Sequence, residues 1–474
     1  MSKKIKIILA MVLCGVLSFS FLIGCKKNNV ENPPIDDGKK QAEQYAADNK
    51  ERAISYAKLI KNLYWDSATQ TSKLTPNGGT PYLWPYTEQA SMANAVLAIT
   101  NEDDEDYELL RTYLVETLEG LRYYRVRQAQ GYTDTEFGVL NENATSYAMY
   151  NSSKSSTKDT ANANRDGIYF DDNIWVAKEF YNAYLNLGEQ KYLNEAVNIV
   201  NWIIGEGFET ANDSKTGKAM NGVYWLWGAK DKHPGVTDDT KNASLNACSS
   251  APTAMMLVKL YNVMEDARFN NIRDNYLATA KKIFMFTYST LLDEETNTIK
   301  DKVFVNADSE GNLFLGIIDA QILPYNTGCM LTAGTELYLN AVEASQTANA
   351  QYYKKWIKDM SAGSDLKFAS RNTVEGQYSY HRNSWFTSFL LEGLIDVAST
   401  GEDVKEYIDH MRSALDYAWK NNKAEDGLIA PAWIVGWSEF PDEGNSEANG
   451  RQILLQAANA HSYAMLARYY SSLK

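Results

Sequence analysis

The stretch Asn182–Ile203, NAYLNLGEQKYLNEAVNIVNWI, contains two amphipathic segments joined only by Leu187-Gly188-Glu189. Apolar residues recur at spacings of three and four on both sides of this link, which is typical of helices that bury one face. The stretch 337–360, LYLNAVEASQTANAQYYKKWIKDM, has the same form. A helix, a short link and a second helix therefore make up a unit that the chain repeats.

The same spacing predicts about twelve helices, and few stretches alternate as strands do, so the predicted class is all-α. The predicted helices are 40–64, 86–99, 104–126, 172–187, 190–205, 245–263, 268–291, 325–345, 350–361, 384–399, 403–421 and 450–472. Short links alternate with the long loops 65–85, 127–171, 206–244, 292–324, 362–383 and 422–449. Strict alternation places every long loop on the same rim of the assembly.

Six helical hairpins of this kind are expected to close into an (α/α)6 barrel, a toroid with the long loops on one rim. A tetratricopeptide array is the alternative architecture. Its repeat is strict and close to about 34 residues, and the spacings in this chain do not follow it.

Composition and net charge indicate a large folded protein and exclude one class of partner. The chain has 474 residues, of which 45% are hydrophobic, so a large buried core is expected. Lys and Arg number 46 against 60 Asp and Glu, a formal net charge of −14. Nucleic-acid phosphates require a basic face, so nucleic acid is excluded as a partner.

The N-terminus has the form of an export signal. Three lysines precede the apolar run 7–21, and Leu22-Ile23-Gly24-Cys25 then resembles a bacterial lipoprotein box, in which Cys25 carries the lipid. A single transmembrane anchor is the alternative, but the run is shorter than the roughly 20 residues that a spanning helix needs. We therefore expect a signal peptide over 1–24, a lipidated tether over 25–38 and one folded domain over 39–474. This predicts a cell-envelope protein that is anchored in the outer membrane through its lipid only. The sequence leaves open whether the protein lies on the periplasmic side or on the cell surface.

Two cysteines remain in the folded part, Cys248 and Cys329. A disulfide between them is possible, but two buried free thiols is the favoured interpretation. Neither has a histidine at metal-ligand or catalytic spacing, and the four histidines of the chain show no such spacing among themselves. No metal and no cofactor is expected.

Aromatic residues concentrate where the long loops meet the following helices. Seven of the eleven tryptophans lie there: Trp84, Trp175, Trp225, Trp227, Trp385, Trp433 and Trp437. Aromatic faces beside polar groups suit sugar rings, and an acidic chain repels polyanions, so a neutral sugar polymer is the predicted substrate. The alternative interpretation is that these tryptophans only cover the top of the core.

The pair Asp171-Asp172 stands at the start of a predicted helix, between Tyr169-Phe170 and Ile174-Trp175. Two like charges this close push their pKa values apart, which leaves one carboxyl able to hold a proton. Retaining glycoside hydrolysis uses a nucleophile and a general acid whose carboxyl groups are about 5 Å apart. A helix N-cap with an acidic neighbour is the alternative explanation of the pair.

The run Tyr169-Phe170-Asp171-Asp172-Asn173-Ile174-Trp175 resembles the motif of glycoside hydrolase family 76, the endo-α-1,6-mannanases, particularly lipoprotein members from Bacteroidetes. Gly222-Val223-Tyr224-Trp225 stands in the place of the family's Gly-Gly-x-x-Trp stretch. The other matching segments are Lys241-Asn242-Ala243, Tyr325-Asn326-Thr327-Gly328 and Trp385-Phe386. The resemblance covers roughly residues 40–472, with Asn221 and Thr327 departing from the residues that the family often has.

The resemblance implies an (α/α)6 fold and retaining hydrolysis of α-1,6-linked mannose backbones. Endo action is the favoured mode, and we expect a monomer without cofactor. By motif position Asp171 would be the nucleophile and Asp172 the acid/base. The expected substrate contacts are Trp84, Tyr169, Trp175, Trp225, Trp227, Lys241, Asn242, Tyr325, Asn326 and Trp385.

Two other functions remain open on the sequence. A non-catalytic glycan-binding lipoprotein would keep the tryptophan-rich rim without needing both aspartates. Another (α/α)6 enzyme, such as an unsaturated-uronyl hydrolase or an inverting glycosidase, would not need adjacent carboxylates, because an inverting pair leaves a wider gap for water.

Overall fold

The computed structural model describes residues 37–127, 136–141, 146–229, 243–264, 269–372, 377–380, 383–437, 440 and 449–473. Twelve α-helices lie in these ranges: α1 Asp37–Tyr64, α2 Leu83–Ala98, α3 Tyr107–Leu121, α4 Phe170–Leu187, α5 Gln190–Trp202, α6 Ala247–Val263, α7 Asn270–Leu291, α8 Pro324–Glu343, α9 Thr347–Phe368, α10 Ser384–Ala398, α11 Lys405–Asn421 and α12 Ile453–Ser472. The predicted helices are all present. The largest difference in bounds is α9, which is longer at both ends than the predicted 350–361.

The even-numbered helices form a closed inner ring. Each of α2, α4, α6, α8 and α10 contacts the next even-numbered helix, and α12 contacts α2 to complete the circle. The outer helices α3, α5, α7, α9 and α11 each pack on the inner helix that precedes them, while α1 packs on α12. The first and last helices therefore form the sixth hairpin, and the predicted (α/α)6 barrel is confirmed.

Inner and outer helices differ in sequence as their positions require. In α12 every residue from Ile453 to Ala467 is buried, because neighbours surround an inner helix on all sides. The outer helix α11 buries only Ile408, Met411, Ala414, Leu415 and Ala418, which lie three or four residues apart on one stripe. The short link between α4 and α5 is also determined by nearby residues. Gly188 ends α4 with φ 71°, the left-handed conformation that glycine adopts without strain.

The strands are short except for one hairpin. They are β1 Trp65–Asp66, β2 Thr71–Ser72, β3 Arg125–Val126, β4 Met149–Tyr150, β5 Ser244–Asn246, β6 Leu292–Asp293, β7 Thr298–Ala307, β8 Leu313–Ile322, β9 Ser370–Asn372 and β10 Gln377–Ser379. The ten-residue strands β7 and β8 pair antiparallel within the connection 292–324, which the sequence interpretation treated as a loop. Buried and half-buried residues alternate along β7, the pattern of a strand with one face on the core.

Strand β5 also pairs with β7, and Asn246 at its end leads directly into α6. The hairpin therefore fixes the height at which α6 begins on the long-loop rim. This matters for the site, because Cys248 is the second residue of that helix.

Two glycines let inner helices α8 and α10 touch through their backbones. A Cβ atom placed on Gly328 would lie 2.2 Å from the carbonyl oxygen of Phe389, and one on Gly393 would lie 2.4 Å from the carbonyl oxygen of Gly328. Real Cβ atoms do not approach this closely, so the contact requires glycine at both positions.

The predicted signal peptide, Cys25 and most of the tether lie outside the described residues, which begin at Asp37. Over the described chain, no helix combines the length and the hydrophobicity needed to span a membrane. Cys248 and Cys329 are both buried and unpaired, which confirms the favoured interpretation of two free thiols.

Candidate active site

The second residues of the inner helices converge on the long-loop rim. These positions are Trp84 in α2, Asp171 in α4, Cys248 in α6, Tyr325 in α8, Trp385 in α10 and Leu454 in α12. Ring contacts join three of them, with centroid distances of 4.9 Å from Trp84 to Trp385 and 5.4 Å from Tyr325 to Trp385. These contacts confirm, for α2, α8 and α10, the prediction that the starts of the inner helices surround one site.

The start of α4 is held by the segments beside it. The backbone N–H of Phe170 donates to the carbonyl of Trp225 at 2.8 Å. The buried Asn173 amide donates to the carbonyls of Tyr150 and Tyr169 at 2.9 and 2.7 Å, and accepts from the Tyr150 N–H at 2.7 Å. The N-cap is Tyr169, so Asp171 and Asp172 lie inside the first turn and neither is the capping residue.

Among the described residues, three donors reach the carboxylate of Asp171. The indole Nε1 of Trp225 donates to Oδ2 at 2.9 Å, the thiol of Cys248 approaches the same oxygen at 3.5 Å, and the backbone N–H of Asp172 donates to Oδ1 at 2.9 Å. Burial of the carboxyl group outweighs these donors and raises the pKa of Asp171 to about 6. The group is therefore ionised at neutral pH but close to titration.

Both aspartates keep part of their surface accessible from the rim. Tyr169 lies beside them, with its ring 4.9 Å from that of Trp225. Burial raises the pKa of the Tyr169 phenol, and the negative charges of Asp172 and Asp171 raise it further, so this hydroxyl stays protonated and able to donate.

The other aromatic residues form a floor under this rim. The ring of Trp385 lies 5.7 Å from that of Trp175, and its Nε1 donates to Oε2 of the buried Glu88 at 2.9 Å. Trp175, Trp385 and Tyr325 are almost fully buried, whereas Trp84, Tyr169 and Trp225 are half-buried. The half-buried residues have ring surface left for a sugar, and the buried ones support them.

Several expected substrate contacts lie elsewhere or deeper. Trp227 is 3% exposed, its ring lies 5.8 Å from that of Trp202, and the Arg165 guanidinium lies 4.6 Å from its ring. This places Trp227 in the packing of the rim, which does not favour the predicted substrate contact. Asn326 is fully buried and donates to Asp301 at 3.3 Å. Lys241 and Asn242 lie outside the described residues.

The sequence interpretation did not include Cys248 in the site. Its signal was positional, because Cys248 is the second residue of a helix that follows a long loop, as Asp171 is. Glu88 was also missed. It accepts from Trp385 and contacts Nδ1 of His461 at 3.0 Å, and burial raises the pKa of its carboxyl.

Buried charged side chains lie deeper in the barrel, between these aromatic residues and the opposite rim. Lys178 contacts Glu392 at 3.0 Å and Glu179 at 3.5 Å. A cavity of about 210 Å³ lies among the C-terminal halves of the inner helices, lined by Lys178, Glu392, Asp396 and others. Neither Asp171 nor Asp172 lines this cavity, whose lining on α4 begins at Lys178, so it is not the site of the aspartate pair. Across the described ranges, no three His, Cys, Asp or Glu side chains group as a metal site would require.

No family model matches the sequence, and no curated protein matches it. Solved structures do match in fold. A family 76 glycoside hydrolase from a bovine Bacteroides thetaiotaomicron strain is 18% identical, with a TM-score of 0.67 over 89% of this chain and 78% of that chain. The family 76 mannosidase Bt3792 from Bacteroides thetaiotaomicron VPI-5482 is 19% identical, with a TM-score of 0.67 over 90% of this chain and 100% of that chain.

A third similar structure is an inactive variant of the α-1,6-mannanase GH76A of Salegentibacter sp. HEL1_6 in complex with α-1,6-mannotriose. It is 17% identical, with a TM-score of 0.57 over 89% of this chain and 99% of that chain. In that variant two consecutive aspartates are replaced by asparagine. At these identities the likeness establishes the fold.

Proposed function

We propose that this protein is a retaining glycoside hydrolase that cleaves α-1,6-mannosidic bonds within a mannan backbone. The observation that carries the proposal is the pair Asp171-Asp172 in the first turn of an inner helix, partly accessible and surrounded by aromatic rings. The three donors on Asp171 hold its carboxylate in one orientation.

The similar solved structures support the substrate class. Those described as family 76 enzymes are a glycoside hydrolase, a mannosidase and an α-1,6-mannanase, and the mannanase is inactive when two consecutive aspartates are replaced. This chain carries consecutive aspartates at a helix start within the same fold. The half-buried Trp84, Tyr169 and Trp225 supply the apolar faces on which a neutral sugar can stack.

In the proposed reaction Asp171 attacks the anomeric carbon while Asp172 protonates the leaving glycosidic oxygen. Asp172 then removes a proton from water, which attacks the glycosyl ester and releases Asp171. Above a pH of about 6 Asp171 is ionised and can act as a nucleophile.

Hydrolysis of debranched α-1,6-mannan by the wild type, D171N and D172N tests the proposal. Each variant should lose at least about 10²-fold in turnover, because each carboxyl supplies a separate part of the barrier. With an activated leaving group D172N should still form the glycosyl-enzyme, detected by intact mass, whereas D171N should not.

D103N is the matched control, since Asp103 belongs to another adjacent pair that lies in an exposed link on the opposite rim. It should retain full activity. If D171N and D172N hydrolyse mannan as the wild type does, the pair has no catalytic role. Binding of mannan without hydrolysis by the wild type would instead favour the glycan-binding lipoprotein, and selective cleavage of unsaturated uronides would favour the uronyl hydrolase.

The cellular location belongs to the same proposal. The lipoprotein box ending at Cys25 supports a lipid-anchored protein of the cell envelope. A monomer is part of the same proposal. Metabolic labelling with a fatty acid should mark the wild type but not C25S, and light scattering of the soluble domain should give the mass of one chain. Equal labelling of both proteins would remove the anchor from the proposal.

A further inference from the structure

The two oxygens of the Asp171 carboxylate are not equivalent. Oδ2 is approached by two side-chain donors, Trp225 Nε1 at 2.9 Å and the Cys248 thiol at 3.5 Å. Oδ1 accepts one bond, from the backbone N–H of Asp172 at 2.9 Å. Each carboxylate oxygen has about two lone-pair sites, so the donors from the part of the chain that the structure describes fill both sites of Oδ2 and one site of Oδ1.

Both side-chain donors are fixed in that role. The indole N–H of Trp225 can only donate. Burial, and then the charges of Asp171 and Asp301, raise the pKa of the Cys248 thiol well above its ordinary value, so the sulfur keeps its proton. The carbonyl of Trp225 accepts from the N–H of Phe170 at 2.8 Å, which holds the backbone of Trp225 at the start of α4.

We propose that Trp225 and Cys248 are positioning residues that hold Oδ2 of Asp171, so that Oδ1 is the oxygen that attacks the anomeric carbon. The inference rests on the proposed function. A lone pair of Oδ1 forms the bond to the anomeric carbon as the glycosidic C–O bond breaks. The electrons of that bond go to the leaving oxygen, which takes the proton of Asp172.

The two parts of the Trp225 side chain then have separate tasks. Its N–H is directed at Asp171, while its half-buried ring lies against Tyr169 with surface left for a sugar. The titratable groups that face Asp171 or the Cys248 thiol are Asp172, Tyr169, Asp301 and Tyr325. Substitutions at Trp225 and Cys248 leave all of these in place.

The test compares W225F, C248A and C248S in the full-length protein, with debranched α-1,6-mannan as substrate and kcat/KM measured against pH. Hydrogen bonds to a charged group are among the stronger ones, so W225F should lower kcat about 10- to 100-fold. C248A removes the longer bond and should lower kcat about 3- to 10-fold, with KM little changed. In both, the acidic limb of the profile should move to higher pH, because a donor that stabilises the carboxylate is lost.

C248S keeps a donor and should recover most of the lost kcat and return the acidic limb towards the wild-type position. A role in packing alone would lower the thermal midpoint without moving the acidic limb. Circular dichroism checks folding, and W225F, which keeps an aromatic ring, carries the test if C248A does not fold.

The outcomes separate this inference from the proposed function. A wild type that does not cleave mannan, or a D171N variant that cleaves it normally, overturns the proposed function. If the wild type is active and D171N is inactive, but W225F and C248A keep both the wild-type kcat and the wild-type acidic limb, the positioning role is wrong.

Discussion

Replacing Asp171 by asparagine should make the folded protein more stable at neutral pH while abolishing hydrolysis. The pKa of Asp171 is raised from its ordinary value of 3.8 to about 6, so the folded state holds a proton that the unfolded state has released between these values. Stability then falls as pH rises through this interval and stays lower above it. The amide side chain of D171N carries no charge at any pH, so this variant escapes the loss.

The size of the gain follows from the same two values. One pH unit corresponds to about 1.36 kcal/mol, so the interval from 3.8 to about 6 corresponds to at most about 3 kcal/mol. Asp171 is partly accessible to solvent, which reduces the cost of its charge, and we expect a gain of about 1–3 kcal/mol. The amide oxygen that D171N introduces can still accept from Trp225.

Urea unfolding of the wild type and D171N at pH 4 and pH 7 measures the effect. D171N should be more stable at pH 7, and the difference should nearly vanish at pH 4. D213N provides a control of opposite sign. Burial raises the pKa of Asp213, but bonds from Thr216 and from the N–H groups of Lys215 and Leu315 bring it below its ordinary value.

The D213N variant should therefore lose stability at pH 7 and lose less as pH falls through the ordinary pKa of a carboxyl group. A D171N protein that is less stable than the wild type at pH 7, while D213N behaves as expected, would refute the claim that the Asp171 charge costs folding energy.

Three further predictions concern the scaffold. G328A should destabilise the protein by about 1–3 kcal/mol in urea unfolding, because its Cβ would meet the Phe389 backbone. G205A is the control: the nearest atom to its Cβ lies 3.4 Å away, so stability should change by less than about 1 kcal/mol. E195Q should cost about 3 kcal/mol, since it removes the charge opposite the buried Arg125 at 2.7 Å; equal midpoints for mutant and wild type would contradict this. N173A removes the side chain that pairs the buried backbone N–H and carbonyl of Tyr150 in β4, so it should cost about 2–3 kcal/mol and lower mannan turnover, which unchanged kinetics would disprove.

Local features of the sequence were sufficient to predict the hairpins and the place of the aspartate pair. The period of apolar residues defines each helix, and a link as short as Leu187-Gly188-Glu189 forces its two helices to lie side by side. The alternation of short and long connections then places the starts of the inner helices on one rim. Asp171 and Asp172 were recognisable because their context lies within a few residues along the chain.

The strands β7 and β8 were missed, although the alternation in β7 is visible once its partner is known. Short alternating runs are ambiguous in isolation, because a strand is stabilised by pairing with another segment rather than by its own residues. The burial of Trp227 was missed for a related reason: whether a rim tryptophan faces a cleft or a neighbouring loop depends on packing that the sequence does not show.

Only the tertiary structure decided which distant residues meet at Asp171. Trp225 lies 54 residues along the chain from Asp171 and Cys248 lies 77 residues away, yet both donate to one carboxylate oxygen. Their meeting depends on closure of the ring, on the height at which β5 and β7 set the start of α6, and on the backbone contact of α8 with α10 through Gly328. Contacts of this kind arise from the summed geometry of many helices, so no local pattern encodes them, whereas the periodicity of each helix is a property of its own residues.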